Sequence, residues 1–316
     1  MDLDLETVGP FDVRYVAFLQ TVTHLRESLH RYCSRMTGSA LDGEDVMQEA
    51  LFEAYRKLDT LDEPSAMRPW LFRIAHRRCL DFARRRTVRR SAEQAVEMSE
   101  LVQSVEPVEP TRSAVGHAVE RLVIHLPPKE RACVLLKDVF EASLEEIADL
   151  VESTPGGVKA ALSRARAKLA TLEAAPVELR AAELRAGEPD PERLKLLALY
   201  VDHFNRRDWH AVRALTSADA RLRVSNRFAG RLAESPYFSK YDTPWPWTMS
   251  LGELDGELVA IVQSSASQAW LAAWVVRFSV QDGRITRIHD HHDCPWLMPA
   301  ADHIHITTSP PMNQTP

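Results

Sequence analysis

The side chains best equipped for chemistry fall into two kinds of cluster. Near the end of the chain runs His289-Asp290-His291-His292-Asp293-Cys294, a set able to ligate a transition metal or to move protons. Alternation along a strand would send His289 and His291 to one face and Asp290 and His292 to the other, so they do not converge without a bulge. No nucleophile–base pair can be assigned either. The expectation is a polar strand end, with no catalytic residue, no metal ligand and no cofactor. The second kind is cationic. Residues 67–90 hold nine arginines against one acid, and residues 155–170 hold four cations against none. Guanidinium and ammonium groups at that density neutralise phosphates and release counterions, although a solvated helix face is the plainer alternative for either island alone. The four cysteines (Cys33, Cys79, Cys133, Cys294) stand apart with no C-x-x-C pair, which suits a reduced protein without a disulfide frame.

Averaged over 316 residues, 39 Lys+Arg against 45 Asp+Glu give a net charge of −6. That average argues against a nucleic-acid binder. The distribution reverses it, because both islands sit in acidic surroundings: residues 1–66 carry six basic and 13 acidic groups, and residues 91–154 carry five and 13. The hydrophobic share of 45% and the charged share of 27% exclude disorder throughout. No run of eighteen apolar residues occurs, so no membrane-spanning helix and no membrane partner are expected. The acidic start, MDLDLETVGPFD, lacks a basic-then-apolar export signal, and a cytoplasmic location is expected.

These side chains need elements to position them. DGEDVMQEALFEAYRKL places Val46, Ala50, Leu51, Ala54 and Leu58 on one helical face, with Asp42 as a plausible N-cap and Asp45, Glu49 and Glu53 on the polar side. A second helix from about Arg68 buries Trp70, Leu71, Ile74 and Phe82 and exposes Arg73, Arg77, Arg78, Arg84, Arg85 and Arg86. Residues 91–113 are acidic and Pro-containing, a linker that could lie against either basic island. Pro127-Pro128 starts a helix carrying Ala132, Val134, Leu135, Leu136 and Val139. Ser143 and Glu146 then form a capping box over Leu144, Ile147, Ala148 and Val151. Thr154-Pro155 opens PGGVKAALSRARAKL, with Val158, Leu162, Ala165 and Leu169 inward, and the pair reads as a helix-turn-helix.

Beyond an Ala/Glu-rich spacer the character changes, since six of seven Trp and seven of twelve His lie in 191–316. Asp190-Pro191 opens an amphipathic helix with Leu194, Leu197, Ala198, Val201 and Phe204 inward. Asp255-Gly256 and Asp282-Gly283 mark hairpins, and AWLAAWVVRFSV alternates Trp270, Ala272, Trp274, Val276, Phe278 and Val280 on one face. The expected fold is multidomain: two all-α domains followed by an α+β cone with a curved antiparallel sheet. Trp245, Trp247, Trp270, Trp274 and Trp296 could fill the core, line a ligand cavity or form a docking face. Tyr237, Phe238, Trp245 and Trp247 crowd a Pro-broken loop.

DGEDVMQEALFEAYRKLDTL followed by SAMRPWLFRIAHRRCLDFARRR resembles the sigma-2 domain of extracytoplasmic-function sigma factors of the sigma-70 family. LPPKERACVLLKDVFEASLEEIADLVESTPGGVKAALSRARAKL resembles their sigma-4 domain, and residues 195–300 resemble a SnoaL-like domain of the nuclear-transport-factor-2-like superfamily. The boundaries that follow are 12–90 (sigma-2-like), 91–113 (linker), 114–172 (sigma-4-like), 173–190 (spacer), 191–302 (SnoaL-like) and 303–316 (tail). The resemblance implies a transcription initiation factor that binds core RNA polymerase and promoter DNA, with a C-terminal domain modulating it in cis. Asp45, Glu49 and Glu53 would face the clamp helices of the largest polymerase subunit. The arginines of 68–90 would meet the −10 region, with Arg77 where many relatives have an asparagine. Lys159, Ala160, Ser163 and Arg164 would face the −35 groove and Arg166 and Lys168 its phosphates, while Ala161 replaces a common basic residue. Two other readings remain: a SnoaL-like enzyme fused to a DNA-binding module, and a helix-turn-helix regulator responding to an unidentified small ligand.

Overall fold

A glycine and a serine divide the first helical hairpin. In the computed structural model, which describes residues 10–61, 63, 66–94, 125–173, 190–225, 227–242, 247–267 and 269–306, α1 (Pro10–Thr37) stops at Gly38, whose φ is 81°. Ser39 turns extended and caps α2 (Ala40–Arg56), its hydroxyl accepting from the Asp42 amide at 3.3 Å. The cap expected at Asp42 is therefore three residues early, and Asp42 sits instead in the first turn, where its charge suits the helix dipole. Val46, Ala50, Ala54 and Leu58 are buried as their spacing requires. A Cβ on Gly43 would lie 2.5 Å from the Ser34 Cα, so α1 and α2 meet backbone to backbone. His30 bonds the Ala40 carbonyl at 3.0 Å across that contact.

Helix α3 (Met67–Gln94) packs Leu71, Phe72, Ile74, Ala75 and Cys79 into the same core. It takes in the first four residues of the expected linker, 91–94, whose remainder lies outside the described residues. Pro128 at the first position opens α4 (Pro128–Val134), which passes into a π-helical turn, Leu135–Val139. The Phe140 amide there reaches back to the Leu135 carbonyl at 3.1 Å. The capping box heads α5 (Leu144–Leu150) as read from the sequence, Ser143 Oγ accepting from the Glu146 amide and Glu146 from the Ser143 amide. After a turn with Glu152 at φ 53°, α6 (Pro155–Glu173) begins, Thr154 accepting from the Gly157 amide at 3.1 Å. All of this forms one compact unit, residues 1–183, and residues 184–316 form another.

In the second unit Asp190 caps α7 (Pro191–Asn205), which buries Leu197, Tyr200, Val201 and Phe204. Ala198, expected inward, is exposed, and Tyr200 takes the inner position, so the buried stripe is narrower than the apolar pattern suggests. After α8 (Trp209–Ala214) come β1 (Thr216–Val224), β2 (Phe228–Arg231), β3 (Trp247–Leu254), β4 (Glu257–Ser267), β5 (Ala269–Gln281), β6 (Arg284–Asp290), the short α9 (Leu297–Ala300) and β7 (Ile304–Ile306). They form one sheet in the order β2-β1-β6-β5-β4-β3-β7, with β1–β6 its parallel pair. Asp255-Gly256 and Asp282-Gly283 have positive φ at both residues, as two-residue hairpins demand. Breaks in register between β4 and β5 and between β5 and β6 curve the sheet around a core containing Phe204, Leu222, Met249, Val262, Val276 and Phe278. Strand β7 pairs with β3 beyond the expected boundary at 302, so three residues assigned to the tail belong to the sheet.

Gly43→Ala should lower the unfolding midpoint of the N-terminal unit in urea. Helix propensity would gain about 1 kcal/mol, but the new methyl meets Ser34 backbone, an overpacking that typically costs about 1–3 kcal/mol in a rigid contact. A midpoint at or above the parent's would contradict the close approach.

Candidate nucleic-acid interface and its neighbours

Every arginine of α3 assigned to DNA already has a partner, and the partners come from α2, from the end of α1, from α3 itself and from α5 with the turn after it. Arg78 and Arg85 bond Glu53 and Glu49 of α2, the latter at 3.5 Å. Arg86 donates to the Thr37 carbonyl at the end of α1 at 3.1 Å, and Arg84 pairs with Asp81 one turn back. Arg73 pairs with Asp149 of α5, and Arg77 with Glu152 in the following turn, its Nε 3.1 Å from Oε1. Most of these pairs are solvent-exposed, and such pairs contribute only about 0–1 kcal/mol each, so a phosphate can displace them at small cost. The hydrogen bond and charge of Arg77 hold the exposed Glu152 carboxyl below its usual range.

On α6, Lys159, Ala160, Ser163, Arg164, Arg166 and Lys168 are all exposed, and Val158, Ala161, Leu162, Ala165 and Leu169 are buried. Arg164 pairs with Glu130 at 2.7 Å and Arg166 with Asp138 at 2.9 Å. Ala161 faces the core with none of its surface exposed, so this alanine makes no contact to nucleic acid.

The α2 face is less acidic in effect than its sequence. Asp45 is half-buried, and Glu49 and Glu53 are engaged by arginines of α3. Burial pushes the Glu53 pKa up, but hydrogen bonds from Lys57 and Arg78 outweigh it and hold the carboxyl below its ordinary value. What α2 does present is Phe52, 63% exposed, and Tyr55, which meets Tyr15 of α1 edge-on at 5.8 Å beside exposed Val16 and Leu19. Sequence reading missed this apolar strip, although Phe52 and Tyr55 fall outside the buried spacing and could have been noticed for that.

Between the two helical halves of the N-terminal unit, Phe140 enters a socket of Tyr32 and Phe72, edge-on to both at 5.9 and 5.6 Å, with the Arg31 guanidinium 5.4 Å from its ring centroid. Tyr32 shares a 2.8 Å hydrogen bond with His76. Arg131 of α4 donates to the Met36 carbonyl of α1. Burial pushes the Arg131 pKa down to about 10, with Arg86 acting in the same direction.

In the C-terminal unit the strand ends at Asp290, and the terminal cluster divides much as alternation requires. His289 and His291 share a face, their rings 3.8 Å apart and Ser225 Oγ 3.2 and 3.4 Å from a nitrogen of each. Burial, with Arg223, Arg277 and Arg287 nearby, pushes His289 down to about 3. Asp290 is fully buried on the other face and accepts from Tyr241 at 2.7 Å and the His292 amide at 3.0 Å, with Tyr237 3.4 Å from Tyr241. His292, past the strand, stands over Trp274 and pairs with Asp293. Among the described residues no group of three or more His, Cys, Asp or Glu side chains is placed to hold a metal. Tyr237 and Trp247 are buried in the core, which removes the exposed docking face from their readings, and Trp274 is half-buried against the same core. Trp245 lies outside the described residues, as does the side-chain environment of Trp270.

Residues 21–104 match Sigma-70 region 2, and residues 116–169 match Sigma-70, region 4. The ECF RNA polymerase sigma factor SigG of Mycobacterium tuberculosis is 32% identical over 235 residues, covering 67% of this chain and 62% of that protein. SigM of the same organism is 30% identical over 158 residues, covering 49% of this chain and 76% of SigM. The crystal structure of the M. tuberculosis extracytoplasmic function sigma factor SigJ aligns with 86% of this chain and 95% of its own, at 18% identity and a TM-score of 0.32. The chain belongs to the ECF sigma factors of the sigma-70 family. It spans less than two thirds of the length of SigG. No helix among the described residues is long and apolar enough to cross a membrane.

His76 carries a pH prediction. Burial pushes its pKa from 6.5 down to about 4, so between those values the unfolded chain binds a proton that the folded one does not. The stabilisation is complete above pH 6.5 and is lost as pH falls towards 4, by up to about 1.4 kcal/mol per pH unit. Urea unfolding at pH 7, 6 and 5 should show a shallower decline for His76→Gln than for the parent; equal declines would contradict it.

Proposed function

We propose that this chain is a transcription initiation factor acting in the cytoplasm, which binds core RNA polymerase through α2 and directs it to promoters through α3 and α6. One observation carries the reading. Two basic helices from separate halves of one folding unit present exposed cations, several of them in exchangeable surface pairs, next to a helix that exposes Phe52 and Tyr55. Phosphate contact by α3 and α6 would release counterions, and base edges would be met by the first turns of α6, around Lys159, Ala160 and Ser163. Phe52 is the anchor for the clamp helices, with Glu49 and Asp45 at its rim, since aromatic residues dominate the energetics of such contacts. The C-terminal unit modulates initiation in cis. Asp290, Tyr241 and Tyr237 are the polar groups with which its interior would recognise a small ligand.

Lys159→Ala with Arg164→Ala should reduce promoter-dependent initiation and relax its sequence specificity, while core-polymerase binding stays unchanged. Loss of core binding in that variant would sink the assignment. Phe52→Ala should weaken core binding about tenfold, equivalent to about 1.4 kcal/mol, in a fluorescence titration; an unchanged titration would remove Phe52 from the contact. Deleting residues 191–316 should change transcript yield from several promoters while core binding remains measurable. Identical yields across promoters and conditions would reject modulation in cis.

A further inference from the structure

We infer that the outward face of the β2-β1-β6 edge is a second nucleic-acid surface, on which Arg231, Arg221 and Arg287 lie along the phosphate backbone of the duplex upstream of the −35 element. The inference rests on the initiation-factor reading and goes beyond it, because it gives the C-terminal unit a contact of its own with DNA.

Charge distribution is the first ground. Residues 191–316 carry 13 basic and 13 acidic groups, yet residues 221–231 hold four arginines and no acid. Ala220, Leu222 and Val224 of β1 and Ile288 of β6 enter the core, so strand alternation turns Arg221, Arg223 and Arg287 to the opposite face. Arg221 lies directly across from Arg231 of β2 on one side and from Arg287 of β6 on the other. Arg287 in turn faces Ser279 of β5, and all four are exposed. At about 4.8 Å between strands, the three arginines stand in a row about 10 Å wide. Arg223 is half-buried one pleat further along, across from His289. Burial is the main cause of the low His289 pKa, and Arg223, Arg277 and Arg287 push it the same way, as a face of positive potential requires.

Energetics is the second ground. Like charges directly opposite one another on neighbouring strands are destabilising, and this row places three together. The acids nearby do little to relieve it. Glu234 comes within 4.0 Å of Arg231 in an exposed pair, and Asp219 is exposed two residues before Arg221. Neither Arg221 nor Arg287 has an ion-pair partner among the described residues. Arg227 and Arg277, by contrast, are neutralised by Asp293 and Glu257. A polyanion removes the repulsion, since a row about 10 Å wide matches about three phosphates of one strand at roughly 3.4 Å each. Tethering selects DNA among polyanions. The chain from Glu173 at the end of α6 to Pro191 at the start of α7 reaches at most about 65 Å. With α6 in the −35 groove, the sheet is therefore confined to about 20 base pairs around it, and a weak patch contact becomes intramolecular. Downstream, α3 and core polymerase occupy the duplex under the same reading, which leaves the upstream flank.

The test uses holoenzyme assembled from the full chain and core polymerase on two duplexes of one promoter. The first ends immediately upstream of the −35 element, and the second extends upstream by about 20 base pairs, the reach of the tether. Arg221→Gln with Arg287→Gln should lower affinity for the long duplex several-fold and flatten its dependence of log affinity on log salt by about two units. Affinity for the short duplex should stay at the parent's value. Arg221→Lys with Arg287→Lys, which keeps the charge, should retain long-duplex affinity. Lys195→Gln with Arg206→Gln, a matched charge loss at exposed positions of α7, should change neither duplex. Both altered strand residues are exposed and repel their neighbours, so the glutamine variant should unfold no earlier than the parent. Unchanged long-duplex affinity, an equal loss on both duplexes, or a loss reproduced by the α7 variant would overturn the surface. Weaker core-polymerase binding in the glutamine variant would also overturn it, by assigning the row to a protein partner. A parent protein that neither binds core polymerase nor supports initiation would instead overturn the initiation-factor reading on which the inference rests.

Discussion

The arginine face of α3 is the constraint around which the N-terminal unit is arranged. Nine arginines and one acid within 24 residues repel one another, and a helix of that composition has no intrinsic partners beyond Asp81. Neutralisation is supplied from outside the helix, by Glu49 and Glu53 from α2, Asp149 from α5 and Glu152 from the turn after it, while the Thr37 carbonyl at the end of α1 accepts a hydrogen bond from Arg86. The alternation of acidic and basic blocks along the sequence is this assembly seen in one dimension. Each acid serves a fold contact and leaves the arginine available, because an exposed ion pair contributes too little to resist a phosphate.

The C-terminal unit solves a different problem. Its core is aromatic and closely packed around Phe204, Tyr241 and Trp247, with the Arg207 guanidinium 3.4 Å from the Trp247 ring centroid. Into that interior β6 carries a fully buried carboxylate, Asp290, which is tolerable because a tyrosine hydroxyl and a backbone amide satisfy it. The two histidines beside it go to the opposite face and share Ser225, so the sequence cluster is separated by the pleat of the strand.

Local signals were legible in the sequence because their physics is local. The Ser143–Glu146 capping box, the Thr154-Pro155 start and the two Asp-Gly hairpins each depend on residues within a few positions of one another. Where two local signals competed, the reading erred: Asp42 is as good a cap as Ser39 in isolation, and only the turn at Gly38 decides between them. Ala198 satisfied the apolar spacing, but the larger Tyr200 occupies the buried position. The exposure of the sigma-type basic residues was legible from their spacing; their partners were not. Arg77 and Glu152 are 75 residues apart, and no periodicity links them. The π turn at Leu135–Val139 has no composition of its own, so the aim of Phe140 was equally hidden. Phe52 was concealed by expectation, since an acidic face drew attention to its carboxylates rather than to the aromatic residue among them.

The central claim is that these helices serve a polymerase rather than DNA alone. It is tested most directly by titrating the labelled full chain with purified core RNA polymerase and mapping transcript start sites from genomic template with the resulting complex. The account predicts saturable binding and discrete start sites that disappear when the chain is omitted. Absence of binding at low and moderate salt, or a start-site pattern identical with and without the chain, would contradict it.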